Sequence, residues 1–319
     1  MLLNIVFIIV GVALVLWGAD RLTEGASALA RKMSVPEIVI GLTIVAAGTS
    51  APELFVSLVS ALKGTPDMAV GNVVGSNIFN TLLIVGCAAM VSPMVIAKTT
   101  VKKDIPFTVI ASLMLLIVCM DGWRSADIGG NVITRLDGIV LLAGFVLFMV
   151  YTFQVAMKKE TDEAPASAEP VNVWKSLLFV VVGLACLIFG SNLFVDSATS
   201  VARQLNISEG VIGLTIVAGG TSLPELATSV VAARKGRSAI AIGNVIGSNV
   251  FNILLILGLT ATITPMQLEG ITVVDLSVMM GSILLLWGFC YTKYTVARWE
   301  GAVLSVAFLG YMGWLLANL

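Results

Sequence analysis

Residues 41–86 read GLTIVAAGTSAPELFVSLVSALKGTPDMAVGNVVGSNIFNTLLIVG, and residues 213–258 read GLTIVAGGTSLPELATSVVAARKGRSAIAIGNVIGSNVFNILLILG. The two stretches align without a gap at an offset of 172, and 30 of the 46 positions are identical. Chance does not supply such likeness, so the chain carries a duplication. Weaker similarity extends upstream at the same offset, from Gly18/Gly190 through Arg31/Arg203 to Glu37/Glu209.

Both copies sit in a chain that is 58% hydrophobic and only 12% charged. A soluble domain of this size carries about 25% charged residues. Apolar runs of spanning length recur throughout, which predicts an all-α integral membrane protein with the lipid bilayer as its main partner. About ten segments can be placed: 2–30, 37–62, 68–92, 104–121, 136–156, 174–202, 209–233, 239–264, 271–291 and 299–318. The first run, Leu2 to Trp17, lacks a basic leader and a small-residue cleavage site, so it reads as a membrane helix rather than a signal peptide. Trp17, Trp174 and Trp287, near segment ends, read as interfacial anchors.

The polar stretch Lys158 to Asn172 contains Glu160, Asp162, Glu163, Glu169 and two prolines, and reads as a flexible cytoplasmic connector. It divides the chain into a first half (1–157), a linker (158–173) and a second half (174–319). Each half holds five segments. An odd number sends the second copy into the membrane from the opposite side, so the expected architecture is two inverted five-helix repeats. Lysine and arginine placement agrees. With both termini outside, Arg31, Lys32, Lys98, Lys102, Lys103, Lys158, Lys159, Lys175, Arg234, Lys235, Arg237, Lys293 and Arg298 fall inside. Only Lys63, Arg124, Arg135 and Arg203 fall outside.

Each repeat has a polar box in the middle of an apolar segment, Gly48-Thr49-Ser50-Ala51-Pro52-Glu53 and Gly220-Thr221-Ser222-Leu223-Pro224-Glu225. The prolines lack an N–H and crowd the carbonyl four residues back, so both helices should break there and free carbonyls such as those of Ala47 and Gly219. An acidic residue at the bilayer centre costs at least about 2.5–3.5 kcal/mol. Glu53 and Glu225 are the two acidic residues deep within spanning segments, with no deep lysine or arginine to pair with. Thr49 and Glu53 are four apart, as are Thr221 and Glu225, and are expected to share a helix face. Two carboxylates, hydroxyls and free carbonyls make a hard oxygen cage suited to Ca²⁺ or Na⁺.

The next segment of each repeat carries a second polar stripe: Asn72, Ser76, Asn77 and Asn80, then Asn244, Ser248, Asn249 and Asn252. Ser76, Asn80, Ser248 and Asn252 are read as ion contacts. Asn72 and Asn244 are read as interhelical hydrogen-bond glue, and Thr43 and Thr215 as helix-packing hydroxyls.

Several classes are excluded. A net charge of −1 suggests no nucleic-acid partner. Cys87, Cys119, Cys186 and Cys290 lie in apolar runs without metal-like spacing. With no histidine, no HExxH and no nucleophile–base pair, the chain is not expected to be an enzyme or to hold a cofactor.

The two boxes, with GNVVGSNIFN and GNVIGSNVFN, resemble the alpha repeats of the cation/calcium antiporter superfamily, most of all its prokaryotic sodium/calcium exchanger branch. The resemblance implies a site at the repeat interface, with Thr49, Glu53, Thr221 and Glu225 binding Ca²⁺. Ser50, Ser76, Ser222, Ser248, Asn80 and Asn252 complete Na⁺ sites, and Ala47 and Gly219 contribute carbonyls. Some exchangers carry aspartate at one of the positions held here by Asn80 and Asn252. The long regulatory loop of animal exchangers is missing. The function expected is exchange of Ca²⁺ for Na⁺ or H⁺ by alternating access, in the inner membrane of a bacterium or archaeon, by a chain working as a monomer. The first helix of each half would slide to gate access. A passive cation channel is the alternative.

Overall fold

The computed structural model describes residues 2–120, 131–157, 172–205, 218–268 and 270–317. The apolar runs fold as helices, the one open-ended element that pairs all its own backbone groups without water. In chain order they are α1 (Leu2–Met33), α2 (Glu37–Thr49), α3 (Ala51–Leu62), α4 (Pro66–Val91), α5 (100–119), α6 (Arg135–Met157), α7 (Val173–Gln204), α8 (Ala218–Thr221), α9 (Leu223–Arg234), α10 (Ser238–Ile263), α11 (Val273–Tyr291) and α12 (Arg298–Ala317). Among the described residues seven helices are long and apolar enough to cross a membrane, and α2 with α3 makes an eighth, broken span. Of the other expected segments, 104–121 is helical through 119, and 209–233 lies outside the described residues up to 217. The connector from Lys158 to Val171 and Thr215 also lie outside them.

The breaks fall where the prolines place them. Ser50 (φ −84°, ψ 8°) and Ser222 (φ −90°, ψ 7°) leave the helical region, and Pro52 and Pro224 occupy the first turn of the next helix. There a missing N–H costs nothing, because that turn has no intrahelical acceptor. The chain bends by 47° between α2 and α3. Short π-helical stretches at 41–45, 79–84 and 251–257 add local widening, and Asn80 and Asn252 sit in the second and third of these.

The two long helices α1 and α7 pack along their length through a glycine seam. A Cβ at Gly11 would lie 2.8 Å from the Gly190 carbonyl oxygen, one at Gly18 2.8 Å from that of Gly183, and one at Gly25 2.6 Å from that of Ser176. Numbers rise along one helix as they fall along the other, so the pair is antiparallel. Gly11 and Gly183 are equivalent positions in the duplication, as are Gly18 and Gly190. The contacts Gly11–Gly190 and Gly18–Gly183 are therefore one contact made twice with the partners exchanged, as a two-fold relation produces. Two clasps repeat the exchange. Strand β1 (Met94–Val95) pairs antiparallel with β4 (Thr295–Val296), and β2 (Asn131–Ile133) with β3 (Met266–Leu268). Each clasp joins one half of the sequence to the other.

Among the described residues four further carboxylates are buried, all in the first two turns of a helix: Asp104, Asp137, Asp275 and Glu300. Each is satisfied close by. Asp104 accepts from the Tyr151 hydroxyl (2.7 Å), and Asp275 from that of Tyr311 (2.7 Å). Glu300 accepts from Ala297 N (2.7 Å), and Asp137 from Thr134 N (2.9 Å). Trp17 and Trp174 are exposed, as anchors are, whereas Trp287 is half-buried and donates to the Val101 carbonyl at 2.8 Å. It ties α11 to α5. Cys119 and Cys290 are buried, and Cys87 and Cys186 half-buried, within helices.

Candidate cation site

Glu53 and Glu225 each begin a helix immediately after a break, and each is 1% exposed. Burial of a carboxylate so deep requires compensation. The compensation crosses between the repeats. The Ser50 hydroxyl donates to Glu225 Oε1 at 2.9 Å, and the Ser222 hydroxyl donates to Glu53 Oε1 at 3.1 Å. Thr221 approaches Glu53, and Thr49 approaches Glu225. The i, i+4 spacing suggested that each threonine sides with the glutamate of its own box. The helix break between them turns the threonine away and sets it beside the other repeat's glutamate instead.

The second stripe closes in from α4 and α10. Ser248 donates to Glu225 Oε1 at 3.4 Å, and Ser76 meets the Ser222 hydroxyl at 3.3 Å. Asn80 and Asn252 are buried, on the π-helical stretches. Ala47 and Gly219 lie in the last turns before the two breaks, Ala47 exposed and Gly219 half-buried. Ser50, Ser222 and Ser248 are thus joined to the glutamates by direct hydrogen bonds, and Ser76 through Ser222. Thr228, buried one turn beyond Glu225, was not singled out by the sequence, because its repeat mate is Val56.

Among the described residues several buried oxygens on these helices have no hydrogen-bond partner: Oε2 of Glu53, Oε2 of Glu225, Oδ1 of Asn80, Oδ1 of Asn252 and the Thr228 hydroxyl. The ion pairs among the described residues involve Asp20, Glu24 and Glu37 and reach neither glutamate. Unpaired buried oxygens around two carboxylates form a donor set for a hard cation.

Asn72 and Asn244 serve as the expected glue. Asn72 Nδ2 donates to the Glu53 carbonyl (3.3 Å) and Ser57 (2.9 Å), and Asn244 Nδ2 donates to the Glu225 carbonyl (3.3 Å) and Ser229 (3.0 Å). Each pins the first turn of a glutamate helix to its neighbour. Thr43 donates to the Val39 carbonyl of its own helix at 2.6 Å.

The model of the family described as sodium/calcium exchanger protein matches residues 3–154 and 175–317. The chain belongs to the sodium/calcium exchanger family. It is 40% identical to the putative antiporter CaxA of Alkalimonas amylolytica over 98% of both chains. It is 33% identical to the sodium/calcium exchanger MaX1 of Methanosarcina acetivorans over 97% of both chains. The solved structure of the sodium–calcium exchanger NCX_Mj, soaked with Na⁺ and without Ca²⁺, superposes with a TM-score of 0.83, at 31% identity and 98% coverage of each chain. An exchanger of this family is a membrane transporter, and both matched blocks of the family model contain one glutamate box.

Proposed function

We propose that this exchanger moves Ca²⁺ against Na⁺ across the membrane by alternating access at one site shared by Glu53 and Glu225. The observation that carries the reading is the crossed pair of contacts, in which each buried glutamate is held by the serine of the opposite repeat and keeps one oxygen unpaired. In this reading Thr49, Glu53, Thr221 and Glu225 bind Ca²⁺. Ser50, Ser76, Ser222, Ser248, Asn80 and Asn252 complete Na⁺ positions, with carbonyls from Ala47 and Gly219. The layout is two inverted five-helix repeats, 1–157 and 174–319, joined by the connector 158–173. Both termini lie outside, and the chain works as a monomer in a bacterial or archaeal inner membrane.

Charge explains the coupling. One Ca²⁺ neutralises both carboxylates, so the loaded site can cross the low-dielectric region. The empty site holds two like charges and crosses at high cost. Exchange is enforced, and leak is suppressed. Protons compete for the same carboxylates, so H⁺ can stand in for Na⁺. The antiparallel pair α1–α7 is the moving element of this scheme. Its glycine seam gives it a smooth internal contact, and it flanks both breaks.

The test is calcium uptake into proteoliposomes under imposed Na⁺ and H⁺ gradients. Uptake driven by an outward Na⁺ gradient is expected. Uptake indifferent to both gradients would refute the proposal and favour a passive channel.

A further inference from the structure

We infer that Asn249 and Asn244 on α10 are positioning residues for ion selection: they do not contact the ion but fix which atoms Asn80 and Thr49 present to it. The inference rests on the site reading above.

Asn249 is 2% exposed. Its Oδ1 accepts from Asn80 Nδ2 at 3.1 Å, and its Nδ2 donates to the Thr81 hydroxyl at 2.8 Å. A carboxamide is an oxygen on one side and an NH₂ group on the other, nearly equal in shape and opposite in polarity. With its NH₂ held by Asn249, Asn80 has only Oδ1 left to offer, and that atom is buried and unpaired. Turned the other way, the same side chain would aim two N–H donors at a cation and repel it. Thr81 completes the logic. Its hydroxyl takes the Asn249 NH₂ while the Asn249 oxygen faces Asn80.

Asn244 does the equivalent for a hydroxyl. It is fully buried, its Nδ2 is used by the Glu225 carbonyl and Ser229, and its Oδ1 accepts from the Thr49 hydroxyl at 3.1 Å. Thr49 also donates to the Val45 carbonyl at 3.1 Å. Its hydrogen is drawn to these acceptors, which leaves oxygen lone pairs for the side facing the glutamates. Both contacts run from the second repeat to a ligand candidate of the first. Among the described residues the equivalent pair of Asn252 with Asn77 is not bonded, and both Asn252 polar atoms and Asn77 Oδ1 are unpaired. Asn80 is oriented by a described neighbour, and Asn252 by none.

The experiment is a double-mutant cycle on apparent Na⁺ and Ca²⁺ affinity in proteoliposomes, with monodisperse elution as the folding check. Asn80→Ala and Asn249→Leu are each expected to raise the Na⁺ concentration for half-maximal exchange about tenfold, the size of one lost ion contact. The double variant is expected to be no worse than either, because Asn249 acts through Asn80. Asn249→Asp keeps an acceptor opposite Asn80 and should recover affinity to within about threefold of the parent. Should Asn249→Leu fail to elute as one species, Asn249→Ser, too short to reach Asn80, takes its place. The same cycle with Asn244→Ala and Thr49→Ala reads the Ca²⁺ affinity. Additive losses of about a hundredfold in the double variants, or an unaffected Asn249→Leu, would overturn the inference. Loss of exchange in Glu53→Gln alongside such additivity would leave the site reading standing, whereas a fully active Glu53→Gln would sink that reading itself.

Discussion

The glycine seam between α1 and α7 makes a quantitative prediction. In Gly18→Ala the new methyl would sit 2.8 Å from the Gly183 carbonyl oxygen, 3.0 Å from Cys186 Cβ and 3.0 Å from Leu187 N. Two of these three are backbone atoms that no rotamer change can move. Carbon–carbon contacts settle near 3.5–4.0 Å and carbon–oxygen ones slightly closer, so the helices must separate by roughly half an ångström or more. Overpacking of this kind costs about 1–3 kcal/mol. For a chain of this length that corresponds to roughly 2–6 °C in Tm. Gly183→Ala meets Leu22 N at 2.7 Å and should behave alike, since Gly183 is the other partner of the same contact. Gly310→Ala in α12 meets no described atom within 4 Å and serves as the control; alanine's better helix propensity should leave it unchanged or slightly more stable. Thermal unfolding of purified protein in detergent reads all three. Equal melting temperatures for Gly18→Ala and Gly310→Ala would refute the close antiparallel packing of α1 on α7.

Other outcomes follow from the same contacts. Ser50→Ala removes the 2.9 Å donor to Glu225, and Ser222→Ala the 3.1 Å donor to Glu53. Hydrogen bonds to charged groups are worth about 1.5–3 kcal/mol, so each should weaken apparent cation affinity by tenfold or more in uptake titrations. Tyr311→Phe takes the 2.7 Å donor from buried Asp275 and should lower Tm at an expense of about 1–3 kcal/mol, while Ca²⁺ affinity holds. Lys235→Met breaks the 2.6 Å pair with Asp20, whose side chains are 31% and 37% exposed. At that exposure the pair is worth about 0–1 kcal/mol, so Tm should shift by at most a degree or two and less in high salt.

Much of this exchanger is legible in its sequence because the membrane penalises exceptions. Glu53 and Glu225 stand out since nothing else explains a carboxylate at mid-span, and Pro52 and Pro224 announce where the helices end. The duplication points to a two-fold relation before any coordinate does, and the exchanged contacts Gly11–Gly190 and Gly18–Gly183 are of the kind such a relation produces. Partner choice is what spacing does not reveal. Thr49 and Glu53 look like one face of one helix, but the break at Ser50 reassigns each hydroxyl to the opposite repeat. Asn249 looked like the rest of its stripe until its two bonds to the first repeat distinguished it. Asp104, Asp137, Asp275 and Glu300 read as segment-end acids. They are buried because a local hydroxyl or N–H satisfies each, which residue type and position alone do not disclose. The two-residue strands β1 and β4 are too short to leave a periodic signal.

The central claim is that two glutamates from two repeats make one site. Calorimetric titration of Ca²⁺ into purified, Na⁺-free protein tests it directly. One Ca²⁺ per chain is expected for the parent, and no measurable binding for either Glu53→Gln or Glu225→Gln. Two ions per chain, or a single-glutamate variant that keeps parental affinity, would contradict it.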